Sequence, residues 1–122
     1  MRDERSVLVL DDEPIVGDRL REALSKAGFD VEVFTDSTEA MARLRERSFH
    51  VLVTDMKMRG PSGMDVLRFA KEGAPATRVI VITGYATIET NYEAQALGAD
   101  HFVAKPFKMK DIVRLVDKIS HS

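Results

Sequence analysis

Asp11 and Asp12 follow the apolar run Val7 to Leu10, Asp55 follows Val51 to Thr54, Thr83 follows Val79 to Ile82, and Lys105 follows Phe102 to Ala104. Three carboxylates brought to one place repel one another by roughly 4 kcal/mol per pair at about 4 Å and an effective dielectric of about 20, so a cation must compensate. A hard divalent ion such as Mg²⁺ does so with oxygen ligands, needing one or two direct carboxylates, a backbone carbonyl and waters. Lys105 adds a second positive charge on a flexible stem, and the Thr83 hydroxyl can donate to an anion. Together these groups suit phosphoryl transfer, with the cations neutralising equatorial oxygens and a carboxylate acting as nucleophile. Asp55 suits the nucleophile, because it ends the central apolar run and precedes a loop. Asp11 and Asp12 suit the metal; adjacent side chains diverge, so one binds directly and the other through water.

The elements around these residues alternate regularly. Val7 to Leu10 is apolar without alternation, as in a strand covered on both faces. Pro14 then opens a helix whose stripe is Ile15, Leu20, Ala23, Leu24 and Ala27, ended by Gly28. Asp30 to Phe34 reads as the second strand. Asp36 or Ser37 caps a helix carrying Ala40, Met41 and Leu44. Phe49 to Thr54 is the third strand. A loop over 56–63 with Gly60, Pro61 and Gly63 leads into a helix over Met64 to Glu72, with Val66, Leu67 and Ala70 inward. Arg78 to Ile82 is the fourth strand, followed by a helix from about Thr87 to Leu97 with Ile88, Tyr92, Ala96 and Leu97 as its inward stripe. Asp100 to Ala104 is the fifth strand. Ile112, Val113, Leu115, Val116 and Ile119 form the stripe of the last helix. Five such repeats imply right-handed crossovers and a doubly wound parallel sheet, whose strands all end on one edge. Asp11, Asp12, Asp55, Thr83 and Lys105 then become neighbours.

The 122 residues suit one domain, 1–122, with 44% hydrophobic and 31% charged residues as in ordinary soluble proteins. A formal net charge of -2, with Lys and Arg scattered, argues against direct nucleic-acid binding. Without cysteine there is no disulfide or thiolate chemistry, which agrees with a reducing compartment. No apolar run suggests a signal peptide or a membrane span, so a cytoplasmic location is expected.

Four dispersed motifs carry a resemblance: Leu10-Asp11-Asp12-Glu13; Val53-Thr54-Asp55-Met56-Lys57-Met58 with Gly63; Ile82-Thr83-Gly84-Tyr85-Ala86; and Phe102-Val103-Ala104-Lys105-Pro106-Phe107. Spread over practically the whole chain, they resemble the receiver domain of two-component response regulators. The resemblance implies a flavodoxin-like (βα)₅ fold with strand order 2-1-3-4-5 and a switch whose Asp55 accepts a phosphoryl group from a sensor histidine kinase. It implies Mg²⁺ bound by Asp12, Asp55 and the Lys57 backbone carbonyl, with Asp11 acting through water. Lys105 and Thr83 would contact the phosphoryl group, Phe102 would be the aromatic switch, and Lys105 to Pro106 a cis peptide. Lys57 and Tyr85 stand where the family tunes dephosphorylation, and a long cation and an aromatic there predict a long-lived phosphorylated state. The repacked face is that of the fourth helix, fifth strand and fifth helix, the surface through which a homodimer would form. Its output would be a partner or a domain outside this chain, such as a transcriptional one. One position departs from the pattern: Arg59 stands four residues after the acceptor, where the family usually has proline, with Pro61 two residues on.

Plainer roles exist for each residue alone. Strand-end aspartates cap helices, Thr83 suits a turn, Lys105 a solvated loop and Phe102 a strand interior; His50, His101 and His121 have no ligand spacing. Convergence of three acids on one edge is what favours the chemical reading. A haloacid-dehalogenase-type phosphatase also uses an Asp nucleophile with Mg²⁺, but its Asp-x-Asp signature lies on the first strand. A dinucleotide or flavin binder would need a phosphate-cradling loop that is absent from the sequence. A phosphorylation-independent interaction module on the same scaffold is the alternative, although such modules normally lose one of the acids, the lysine or the hydroxyl.

Overall fold

The structure, a computed structural model, describes residues 5–58 and 60–120. Its strands are β1 (Ser6–Leu10), β2 (Asp30–Phe34), β3 (Val51–Asp55), β4 (Arg78–Thr83) and β5 (His101–Ala104). The helices are α1 (Pro14–Lys26), α2 (Ser37–Glu46), α3 (Gly63–Gly73), α4 (Ile88–Ala96) and α5 (Met109–Ser120). All strand pairs are parallel, as the alternation of elements predicts, and they stand in the order β2-β1-β3-β4-β5, as the resemblance implies. Every residue of β1 and β3 is buried, which is why their runs show no polar alternation.

Alternation across the strands divides the core into two layers. Leu8, Leu10, Leu52, Val79 and Val81 face α2, α3 and α4, where they meet Ala40, Leu67, Ala70 and Ala94. Val7, Val9, Val51, Val53, Ile80 and Ile82 face α1 and α5, where they meet Leu20, Leu24, Ile112, Val116 and Ile119. Fully burying a Leu or Ile stabilises by roughly 1.5–3 kcal/mol, so these layers hold the sheet edge in place.

Local chemistry sets the ends. The Asp36 carboxylate accepts from the N–H groups of Thr38 and Glu39 and caps α2. Ser62 and Asp65 form a reciprocal capping box at α3, a start signal at Ser62 that places α3 a residue earlier than the apolar pattern alone suggests. Gly28 follows α1 with φ 95°, a left-handed conformation that glycine adopts without steric cost.

Three sequence expectations are corrected. In α4, Ile88 and Tyr92 are 88% and 76% exposed and Ala96 is exposed, while Ala94 is fully buried. The inward side is Thr90, Asn91, Ala94 and, as expected, Leu97, while the large Ile88 and Tyr92 point outward. In α1, Ile15 and Ala27 are exposed. Gly17 takes their place on the buried face, since a Cβ there would stand 2.6 Å from Val33 Cγ1. Finally, Phe49 precedes β3 instead of opening it, its carbonyl accepting the Thr77 hydroxyl at 2.7 Å. Arg59, Met1 and His121 lie outside the described residues.

Candidate functional site

Parallel pairing brings the strand ends together. Leu10 pairs with Thr54, Asp55 with Ile82, and Thr83 with Ala104, so the residues just beyond them share one edge. Asp11, Asp12 and Asp55 each offer a carboxylate oxygen there, all within 4.8 Å of one another. Asp11 is fully buried, Asp55 is 5% exposed and Asp12 faces solvent.

The Lys105 ammonium stands 2.9 Å from Asp11 Oδ2 and 3.5 Å from Asp55 Oδ2. Neither contact has hydrogen-bond alignment; the aligned bond from Lys105 goes to Glu13 Oε1, at 3.0 Å. Asp11 Oδ1 accepts the Glu13 backbone N–H at 2.9 Å. Asp11 Oδ2 is left as a buried oxygen without an aligned donor. The Lys105–Pro106 peptide is cis, as the resemblance implies.

Electrostatics follow from this crowding. Burial, then the Asp11 charge and more weakly Asp12, push the Asp55 carboxyl from 3.8 up to about 6, against the opposing pull of Lys105 and the Met56 N–H. Asp55 is therefore ionised at neutral pH at a cost to the fold. Burial works against the Lys105 ammonium, but Asp11, Glu13 and Asp55 outweigh it and raise its pKa above the ordinary lysine value.

Thr83 is fully buried, and its Oγ accepts the Tyr85 N–H at 2.9 Å. Phe102 is half-buried on β5, paired with Val81 and packed into the layer under α2, α3 and α4. Val81 and Thr83 share one face of β4, so Thr83 and Phe102 lie diagonally on the same side of the sheet. Lys57, on the loop after β3, places its ammonium 4.6 Å from the centre of the Tyr85 ring, on the loop after β4. This cation–π contact joins the two loops that flank Asp55 and Thr83.

Two residues of the site lack an assigned role in the sequence reading. Glu13 appears there only as part of a motif, although an acid directly after Asp11-Asp12 and before Pro14 was a signal. Gly63 appears as a loop glycine; a Cβ there would overlap the Asp55 carbonyl oxygen, and its N–H donates to Met56 O at 2.8 Å. Its missing side chain lets α3 begin directly against the Asp55 backbone.

Three hard carboxylates, one with a buried oxygen that lacks an aligned donor, fit a divalent cation with oxygen ligands. Among the described residues no helix is long and apolar enough to cross a membrane.

Comparison with known proteins agrees with this geometry. The model of the response regulator receiver domain matches residues 7–117. The chain is 31% identical over 115 residues to the response regulator receiver protein CpdR of Brucella abortus, covering 94% of this chain and 96% of that protein. It is 27% identical to the transcriptional regulatory protein QseB of Escherichia coli O157:H7, covering 93% of this chain but 52% of QseB. The chain thus spans about half the length of several of its curated relatives. A response regulator protein from Burkholderia pseudomallei, with a phosphorylated aspartic acid, a calcium ion and citrate, superposes with a TM-score of 0.86 at 26% identity, covering 96% of this chain and 69% of that one. With the five-stranded order, the acidic edge and a family match over nearly its whole length, the chain belongs to the response regulator receiver domain family.

Proposed function

We propose that the chain is a phosphorylation-activated switch in which Asp55 accepts a phosphoryl group from a sensor histidine kinase. The observation that carries this reading is the meeting of Asp11, Asp12 and Asp55 within 4.8 Å, with the Lys105 ammonium 3.5 Å from Asp55. Asp55 is the nucleophile: it ends the central strand, Gly63 leaves room behind its carbonyl, and its carboxyl, pushed up to about 6, keeps its negative charge at neutral pH.

Asp12, Asp55 and the Lys57 carbonyl would hold Mg²⁺, with Asp11 acting through water. When bound, the ion supplies charge neutralisation for the phosphoryl oxygens. The relative with phosphorylated aspartic acid and calcium supports a divalent ion in such a pocket. Lys105 steadies the added charge from the β5 side, and Thr83 offers its hydroxyl from β4. An acyl phosphate on Asp55 adds about one negative charge and new acceptor oxygens. Thr83 moves toward them, and Phe102, diagonal to it on the same face, turns into the space released. The α4–β5–α5 face then changes its packing, a population shift between two arrangements of one fold. That face is the surface offered to an output domain, such as a transcriptional one, or to a second copy of the chain; QseB, of which the chain covers half, supports a domain beyond it. Lys57 and Tyr85, in contact across the loops that follow Asp55 and Thr83, would shield the acyl phosphate from water.

Incubation with acetyl phosphate and Mg²⁺, read by intact mass, tests the reading. A phosphoryl adduct that is lost in Asp55→Asn and on chelation of the metal is expected. No adduct under any condition would favour an interaction module that works without phosphorylation.

A further inference from the structure

Glu13 occupies the N-cap position of α1, yet its side chain makes no cap hydrogen bond. Ser, Thr, Asp and Asn usually fill that position because their short side chains reach back to the first turn. Glu13 instead reaches to Lys105, 92 residues along the chain, and accepts its aligned hydrogen bond at 3.0 Å. Asp55 lies farther from the same ammonium, at 3.5 Å, and Asp11 Oδ2 at 2.9 Å receives its charge without alignment.

We propose that Glu13 is a positioning residue for Lys105, a rim partner that shares the ammonium with Asp11 and limits its approach to Asp55, so that a divalent cation can enter beside Asp11, Asp12 and Asp55. The inference rests on the reading of that pocket as a divalent-metal and phosphoryl site. An ammonium donating fully into the pocket would satisfy Asp11 Oδ2 and compete with the cation for it. Neutralising Glu13 removes the outward partner, and Asp11 and Asp55 become the remaining acceptors. The Glu13 side chain is 60% exposed, so its own field on a cation in the pocket is weakened by solvent. Its influence passes through Lys105.

The test is Mg²⁺ binding measured by calorimetry without any phosphodonor, on the full chain as wild type, E13Q, K105M and the double variant. With Lys105 present, E13Q weakens Mg²⁺ binding about fivefold; in the K105M background the same substitution changes it by less than about twofold, because contacting residues couple. E13D, which keeps the charge but loses reach, resembles E13Q. Equal weakening by E13Q in both backgrounds, or E13D behaving as wild type, means Glu13 acts as a charge alone and overturns the inference. If wild type itself binds no Mg²⁺, the metal reading of the pocket fails instead. Circular dichroism of each variant separates lost folding from lost binding.

Discussion

Replacing Asp55 by asparagine should stabilise the metal-free protein. The carboxyl rises from 3.8 to about 6 because it is buried beside Asp11, so its ionised form carries about 2–3 kcal/mol of unfavourable free energy relative to the open chain. Asparagine keeps the shape and removes the charge. For a domain of this size each kcal/mol moves the melting temperature by roughly 3–5 °C, so Asp55→Asn should melt about 8 °C higher at pH 7.5 without metal. The sign of the pH dependence follows from a folded pKa above the unfolded one. The penalty is full above pH 6, shrinks as pH falls through 6, and is gone below the unfolded value near 3.8, so the gap between the two proteins narrows on acidification. Mg²⁺ should narrow it as well, by stabilising the wild type in proportion to its binding. Differential scanning calorimetry at pH 7.5 and pH 5, with chelator and with Mg²⁺, reads all of this. An Asp55→Asn protein no more stable than wild type at pH 7.5, or a gap that does not change with pH, would show that the Asp55 charge carries no such penalty.

Other expectations follow from named contacts. Gly63→Ala forces a methyl group against the Asp55 carbonyl; it should cost about 1–3 kcal/mol in chemical denaturation and slow adduct formation, and a fully stable, fully active variant would contradict the packing. Lys57→Ala with Tyr85→Ala removes the 4.6 Å cation–π contact and should shorten the lifetime of the phosphorylated state severalfold, followed by loss of the adduct mass with time. An unchanged lifetime would remove the shielding role. In α4, Ala94→Leu should destabilise by about 1–3 kcal/mol through overpacking, whereas Ile88→Ser should stay within about 0.5 kcal/mol. The reverse order in urea melts would restore the inward stripe drawn from the apolar pattern.

Much of the site was legible because a parallel sheet turns sequence position into spatial position. Val7 to Leu10 and Val51 to Val53 are apolar on both faces, as strands covered by helices must be. Their ends therefore fall on one edge, and the meeting of Asp11, Asp12 and Asp55 needs no further information. What escaped depends on contacts between distant residues. The bond between Glu13 and Lys105 joins the two ends of the chain, and the stacking of Lys57 on Tyr85 joins two loops. The face of α4 was misread for a different reason. Apolar periodicity assumes that the largest apolar residues turn inward, but α4 packs through Ala94 and leaves Ile88 and Tyr92 in solvent. The start of α3 is set by polar residues that an apolar pattern does not register, Ser62 and Asp65, whose reciprocal hydrogen bonds begin the helix.

Phosphorylation is expected on Asp55 and on no other residue. Borohydride reduces an acyl phosphate on aspartate to homoserine, so treating the phosphorylated protein and mapping its peptides by tandem mass spectrometry locates the bond directly. Homoserine at position 55, absent when Mg²⁺ is chelated, is the expected result. Homoserine at Asp11 or Asp12, or an adduct that resists borohydride, would rule out Asp55 as the acceptor.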